Sequence, residues 1–540
     1  MKRIFLIFIL VLLAIGNVAQ AQRADNFLPD DTTVVIDRTN LPIVWIDVDG
    51  AMIDREQRIP GRMKIIHNGK GQYNYGDTIA HPGQTIDYEG DIAIRYRGNS
   101  SYSMSDKKPY SFHTLKQPLT QSDAKKKVSI LGMGKDNKWA LLAPYADKSM
   151  IRDLLAFEIA RPWMEYTPQG RLCEVYLDGT YYGVYILCEV VSKGKYRLDL
   201  PDPGEDEEAI TGGYIVEVGT EDKPHHVSKY HPVDSWGRAF TDDTIYLQYE
   251  WPDFEDLTPA QVEYIDQCID NMEDAFASSK YKDPEVGYAK YIDVQSFMDY
   301  QLNTEISRNV DGYRLSTKLY KRRDSVDSRF KMVIWDNNLA FGNARHNEAY
   351  KTNTWAVLYN TKLHNRGDYM IPFWWYKLAR DKNYTNPRKE RWAQYRENNV
   401  RMDRLMATID SLANEVTSGG AEARNAQAWP RWGIFVWPNY YIAENYQDEI
   451  DYLKNWLTER IAWLDNTFGY VAPPLPPQYV PGDVNGDGQV SVADINVLVD
   501  IIMGGEHDEE TMARADVNED KEYSIADISC VINIILAEAP

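Results

Sequence analysis

Cysteine is nearly absent from this chain of 540 residues: there are four, Cys173, Cys188, Cys268 and Cys530. Their spacing fits no zinc pattern. Cys173 and Cys188 flank a hairpin signal, Tyr176-Leu177-Asp178-Gly179, and can bridge in an oxidising compartment; four buried thiols are the alternative. Positive charge is also short. Lys and Arg number 59 against 81 Asp and Glu, a formal net charge of −22, which argues against nucleic acid as a partner. After the first residues, no apolar run approaches the roughly 20 residues that a membrane-spanning helix needs. No G-x-G-x-x-G loop occurs.

What is present starts at the N-terminus. Lys2 and Arg3 precede an apolar run from Ile4 to Ile15, Gly16 breaks it, and Ala19-Gln20-Ala21 reads as a cleavage signal. Residues 1–21 are therefore expected to be a signal peptide, with an uncleaved anchor as the alternative, and the mature chain is expected to be secreted, periplasmic or at a bacterial cell surface. A proline-rich linker, 471–481, separates a body, 22–470, from a tail, 482–540. The body reads as strands and turns from about 32 to 250 and as helices from about 258 to 470, an α+β layout. Expected helices include 149–159, opened by Ser149, then 296–308, 387–415 and 441–468.

The tail holds fourteen Asp and Glu against two Lys and Arg, more than half of the chain's net charge. It contains a duplication: Asp483–Met503 and Asp516–Leu536 are identical at 10 of 21 positions. Calcium takes oxygens from positions 1, 3, 5, 7, 9 and 12 of a 12-residue loop. The first loop supplies Asp483, Asn485, Asp487, the Gln489 carbonyl, Ser491 and Asp494; the second supplies Asp516, Asn518, Asp520, the Glu522 carbonyl, Ser524 and Asp527. Gly488 occupies the sharp-turn position in the first, Lys521 in the second, so the second turn is expected to be strained. Each loop leads into an amphipathic helix, Ile495, Leu498, Val499 and Ile502 in one copy and Ile528, Val531, Ile532 and Ile535 in the other. A duplicated loop with an exit helix and Asp at position 12 resembles the dockerin family. The resemblance implies a small all-α module with two Ca²⁺ sites and a cohesin-type partner on a scaffold or surface. It also implies that Val492-Ala493 and Ile525-Ala526 face that partner.

The body carries a series of motifs. Arg97-Gly98-Asn99-Ser100-Ser101 can offer main-chain N–H groups to an anion, with Lys107-Lys108-Pro109-Tyr110 close behind. Leu141-Leu142-Ala143-Pro144-Tyr145-Ala146-Asp147-Lys148 leads to Arg152, and a hairpin runs from Tyr181 to Glu189. Asn309-Val310-Asp311 sits in a turn, and Trp335-Asp336 follows an apolar strand and precedes Phe341-Gly342. Two loop aspartates suit phosphoryl transfer, one orienting a hydroxyl and one holding Mg²⁺ against phosphates; paired turn formers are the plain alternative.

In this order the motifs resemble the CotH kinase family from about residue 40 to 470. The resemblance implies a two-lobed atypical kinase-like body using Mg²⁺ and ATP on a protein phosphoacceptor. Asp311 then corresponds to the catalytic-loop aspartate and Asp336 to the metal aspartate. Arg97 or Lys108 would contact phosphates, Asp147 or Arg152 would shape the cleft, and Glu189 or Glu217 would pair a lysine or line the nucleotide pocket. Two positions depart from the pattern: Ser316 stands five residues after Asp311, where kinases place Asn, and Asn338 stands where the family often has a second acid. Both keep an oxygen ligand and weaken Mg²⁺ binding. The competing readings are a non-catalytic component of an extracellular polysaccharide-degrading complex and, with less support from the motif order, a glycoside hydrolase.

Overall fold

A computed structural model describes residues 26–119, 124–362, 368–473, 480–518 and 520–538. The expected signal peptide and positions 474–479 of the linker lie outside them. The chain divides into two compact units, the larger ending at Val471 and the smaller beginning at Ala472.

The larger unit opens with a closed barrel of seven strands: β1 (Ile43–Asp47), β2 (Ile59–Ile66), β3 (Ile86–Tyr96), β4 (Tyr110–Thr114), β5 (Lys138–Leu142), β6 (Gly170–Leu177) and β7 (Thr180–Glu189). The order is β1-β2-β3-β4-β5-β7-β6, and a parallel pairing of β6 with β1 closes the ring. Strand alternation fills one apolar cluster: Ile94, Tyr96, Tyr110, Phe112, Trp139 and Leu141 all point into it.

The second sheet has five antiparallel strands, β8 (Tyr214–Gly219), β9 (His225–Val227), β10 (Tyr246–Trp251), β11 (Thr317–Lys321) and β12 (Phe330–Val333), in the order β9-β10-β8-β11-β12. The α+β class holds, but the expected separation of strands from helices does not. The helical half returns β11 and β12 to the sheet, because β11 pairs with β8 and β12 with β11 instead of joining the helices around them.

Helix α1 (Arg152–Ala160) starts three residues later than expected. Its N-cap is Ile151, not Ser149, and Asp147 Oδ2 accepts from the Arg152 N–H at 2.9 Å. Helices α2 (Pro259–Ala277), α3 (Val294–Ser307), α4 (Lys382–Glu397), α5 (Met402–Thr417) and α6 (Tyr446–Phe468) follow. Thr258 and Gln261 form a reciprocal capping box before α2, with Pro259 in its first turn. The expected helix over 387–415 is two, since Asn399 leaves the helical path to bond Trp163 and the Ile159 carbonyl at the end of α1.

The Cys173–Cys188 bridge is not formed; both thiols are free and buried. Cys188 pairs across the sheet with Gly170, three positions before Cys173. An odd offset puts the two side chains on opposite faces, in different apolar clusters. No helix among the described residues is long and apolar enough to cross a membrane.

Glu273 on α2 is buried, accepting from the Ser228 hydroxyl at 2.7 Å and the Trp374 indole at 2.9 Å. Burial pushes its carboxyl up from 4.5 to about 7, against the opposing pull of Ser228, Trp374 and His226. A carboxyl raised on folding contributes stability that is full below the unfolded pKa and is lost as pH rises through the folded one. Glu273→Gln keeps both hydrogen bonds and removes the titration. Denaturant melts at pH 5 and pH 8 should therefore show the variant gaining roughly 3 kcal/mol on the native protein between the two, at about 1.4 kcal/mol per pH unit. Parallel curves for the two proteins would show that Glu273 does not titrate.

The smaller unit contains α7 (Val492–Ile502), α8 (Glu509–Ala515) and α9 (Ile525–Glu538) around Val484, Leu498, Ile501, Ala515 and Val531. The two exit helices fall where the apolar period places them. Helix α8, unforeseen, leads into the second loop.

Candidate functional site

Helix α3 ends at Arg308, whose left-handed conformation (φ 46°) turns the chain into the segment carrying Asp311. Strand β12 leads to Asp336, also left-handed at φ 62°. Asn309 ties the two segments together: its Nδ2 donates to the Asp336 carbonyl at 2.8 Å and to Asn337 Oδ1 at 3.3 Å, while its Oδ1 accepts from the Asp311 N–H at 3.2 Å. Ser316, left-handed at φ 49°, donates its hydroxyl to Asp336 Oδ2 at 3.0 Å. Left-handed non-glycine residues concentrate in this short stretch, as they do where a site holds its backbone in costly conformations.

Asp311, Ser316 and Asp336 line a cleft of about 980 Å³ within the larger unit, between the barrel and the five-stranded sheet. Asp311, Ser316, Asp336, Asn338 and Glu217 stand on one side, and Arg97 with Gly98 to Ser101 on the other. Gly98 is left-handed at φ 85°, a backbone conformation that favours glycine. Arg97 packs over the Trp335 ring at 5.2 Å. Its Nη1 is buried without a hydrogen-bond partner, a donor that an anionic ligand would satisfy. Burial lowers the Arg97 pKa, and Asp336 opposes that effect. Enclosure by the protein and the neighbouring Asp311 charge push Asp336 up, against Ser316, Arg97 and Lys318. Asp311 Oδ1 accepts from Arg314 Nη2 at 2.6 Å.

The structure adds two groups that had no assigned role. Lys318 on β11 sits opposite Glu217 on β8 and forms an ion pair with it, and another with Glu250 at 2.9 Å. Burial opposes its charge; the two glutamates overcome this and hold its pKa above the usual lysine range. Asp153 on α1 also lines the cleft, accepting from the Asn337 N–H at 2.6 Å. Burial and the Asp336 charge push it up to about 7. A lysine inside the five-residue strand Thr317-Lys318-Leu319-Tyr320-Lys321 was the one sequence signal for the first group; nothing local marked the second.

Four expected site residues are placed elsewhere. Lys108 does not reach the cleft: its ammonium donates to the Tyr102 carbonyl at 2.5 Å and lies over the Phe27 and Tyr102 rings, which satisfy it internally. Glu189 pairs with no lysine; it accepts from the Gln169 N–H at 3.1 Å and the Tyr166 hydroxyl at 3.2 Å, and the lysine-pairing role falls to Glu217. Asp147 and Arg152 form a buried unit with Glu449 on α6, Arg152 Nη1 donating to both carboxylates at 2.7 Å. That unit joins α1 to α6 behind the cleft and lines none of it. Among the described residues, no three His, Cys, Asp or Glu side chains converge to cage a metal by themselves, so a cation in the cleft would draw on Ser316 or Asn338 oxygens as well as the two aspartates.

In the smaller unit both loops draw their carboxylates inward. Asp483 accepts from the N–H groups of Gly486, Asp487 and Gly488, and Asp494 from those of Asn485 and Ser491. In the second loop Asp516 accepts from Asp520 and Lys521, and Asp527 from Val517, Asn518 and Ser524. Asn485 and Asn518 each donate to the aspartate two residues on, Asp487 and Asp520. Gln489, Ser491, Glu522 and Ser524 occupy equivalent places in the two copies. Lys521 is left-handed at φ 68°, as the missing glycine implied. Val492 and Ile525, each at the start of an exit helix, are 63% and 73% exposed.

The chain thus has two parts: a body in which a barrel and a helix-backed sheet enclose a cleft lined by two loop aspartates, and a tail built from a duplicated acidic loop and helix. The family model described as CotH kinase protein matches residues 94–464, more than half of the chain, and the Dockerin type I domain model matches 481–536. The chain belongs to the CotH kinase family and carries a dockerin type I domain, a domain that binds calcium and implies a cohesin partner. A search of the curated proteins finds no match.

Proposed function

We propose that this chain is an exported CotH-type protein kinase, held at a scaffold or cell surface by its dockerin. Residues 1–21 serve as signal peptide, 22–470 as a two-lobed kinase-like body, 471–481 as linker and 482–540 as docking module with two calcium sites. The observation that carries the reading is the Asn309 cross-link, which brings Asp311 and Asp336 to one wall of a cleft whose other wall presents an unsatisfied Arg97 donor. Bound MgATP would supply the phosphoryl group: the acceptor oxygen bonds to the γ-phosphorus as the bond to ADP breaks. Asp336, with Ser316 or Asn338, would hold the cation. Arg97 and the Gly98–Ser101 turn would hold phosphate oxygens. Asp311 takes the proton of the acceptor hydroxyl, with Arg314 fixing the carboxylate through its other oxygen. Lys318, neutralised by Glu217 and Glu250, keeps that wall rigid.

The full chain incubated with Mg²⁺ and radiolabelled ATP should label itself or an added protein. Asp311→Asn should cut labelling on the order of 10²–10⁴-fold, the range for losing a proton-transfer group, and Asp336→Asn should abolish it by removing the cation's carboxylate. A saturating nucleotide should also raise the body's melting point, since ligand at 100 times its Kd adds about 2.7 kcal/mol. Undiminished labelling by both variants rules the assignment out. Absence of both label and thermal shift favours the non-catalytic, cohesin-docked component instead.

A further inference from the structure

The two walls of the cleft differ in charge. The barrel and its connections contribute six Lys and Arg and one Glu to the lining; the sheet, α1 and the two aspartate loops contribute seven Asp and Glu and two Lys. The basic wall is a sheet face. Arg95 on β3 stands opposite Ser111 on β4, which stands opposite Ala140 on β5; Ala93, His113 and Lys138 form the next row. Their neighbours Ile94, Phe112 and Trp139 point into the barrel, so these residues point out of it; Arg95, Ser111, His113 and Lys138 line the cleft, while Ala93 and Ala140 are covered. Arg58 lies across the face, donating to the Ala93 carbonyl at 3.3 Å and to the Ser111 carbonyl at 2.8 Å. Arg95 donates to the Glu56 carbonyl at 3.0 Å. Burial lowers the Lys138 pKa; Lys125 and Arg58 add to that, and Asp253 and Asp136 oppose it. Arg97 stands two residues beyond Arg95 on the same side.

The size of this face decides what it can hold. Strands lie about 4.8 Å apart and rise about 3.4 Å per residue, so the face runs roughly 16 Å from Arg97 to Lys138. That is longer than a triphosphate chain, and Ser111, between its cations, is small. An extended segment with several spaced anionic groups matches it. The acidic wall opposite repels carboxylates and so sets the direction in which such a segment lies.

We propose that the β3–β4–β5 face docks an acidic protein segment. Resting on the kinase reading above, that segment is the acceptor: its flanking Asp and Glu side chains sit on Arg58, Arg95 and Lys138, and its Ser or Thr hydroxyl faces Asp311.

The test reads binding without turnover. Fluorescence anisotropy with the full chain compares three serine peptides, flanked by Asp and Glu, by neutral residues, or by Lys and Arg. The acidic peptide should bind at least about tenfold more tightly than the others and weaken as salt is raised. Arg58→Gln, Arg95→Gln and Lys138→Gln combined should lose about tenfold of that affinity while keeping the MgATP thermal shift. Arg95→Gln alone, at a half-buried position, should lose about threefold and covers misfolding of the triple variant. Equal affinity for the three peptides, or unchanged affinity in both variants, overturns the docking face. A chain that labels itself but binds no acidic peptide refutes this face alone. One that binds the peptide yet transfers no phosphate to any acceptor refutes the kinase reading and leaves the docking face standing.

Discussion

Calcium removal is expected to abolish the unfolding transition of the dockerin unit while the transition of the larger body stays in place. The unit's apolar core is small: Val484, Leu498, Ile501, Ala515 and Val531 are its buried members. A segment this short seldom buries enough apolar surface to fold without a staple. Its two loops crowd six aspartates, Asp483, Asp487 and Asp494 in one and Asp516, Asp520 and Asp527 in the other. Asp494 and Asp527 are fully buried. Without a cation these carboxylates repel one another, so binding free energy becomes folding free energy. Calorimetry with calcium and with a chelator checks this; a tail transition that does not move with the chelator contradicts it. Asp494→Ala should act like chelation at the first loop, because it deletes both a ligand and the acceptor of the Asn485 and Ser491 N–H groups. The second loop should empty first in a chelator titration, since Lys521 carries a left-handed backbone at a cost of roughly 1–2 kcal/mol. Lys521→Gly should remove that difference.

Arg460→Leu should destabilise the body by about 3–5 kcal/mol, the usual cost of leaving one member of a buried ion pair unmatched. Arg460 on α6 is fully buried and meets Glu305 Oε2 at 3.0 Å. It also donates to the carbonyls of Glu305 at 2.7 Å, Thr352 at 3.0 Å and Thr354 at 2.7 Å. Burial pushes its guanidinium down to about 10, with Glu305 opposing. Glu305 accepts in addition from the N–H groups of Ala356 and Val357 and from the Tyr313 hydroxyl. It lies in the last turn of α3, just before the segment that carries Asp311, so the substitution should loosen the site as well as the core. Denaturant unfolding of the variant measures the loss. Adding Glu305→Gln should recover part of it by removing the stranded charge. A double variant no more stable than Arg460→Leu alone would show that lost packing, not the uncompensated carboxylate, is responsible.

Much of the tail was legible because its chemistry is local. Ligands at positions 1, 3, 5, 7, 9 and 12 of one loop, a turn residue and an apolar period of 3.6 all sit within about 20 consecutive residues. Helix α8 escaped because its seven residues, Glu509–Ala515, show little apolar period. In the body, the motifs named Asp311, Asp336, Ser316, Asn338, Glu217 and Arg97, and all six line the cleft. Lys108, Asp147, Arg152 and Glu189 belong to the same motifs and turn inward. A charged residue in a string does not reveal whether its partner is a ligand or a buried carbonyl. The hairpin strand β7 hid this further, because nearly all its residues are buried and the usual alternation is lost.

By itself, the sequence determined the α+β class, the family, the exit helices that follow the two acidic loops, and that Asp311 and Asp336 belong together, because these follow from composition, short spacing and ordered motifs. Tertiary structure alone decided that β6 closes the barrel against β1, that two strands from the helical half complete the sheet, and that the thiols of Cys173 and Cys188 face apart. It also decided that Lys318 pairs with Glu217, and that six basic side chains face seven acidic ones across the cleft. The physical reason is range. Each of these pairings depends on which strand lies beside which, and on the parity of their register, and one residue of slip would send every side chain on a strand to the other face.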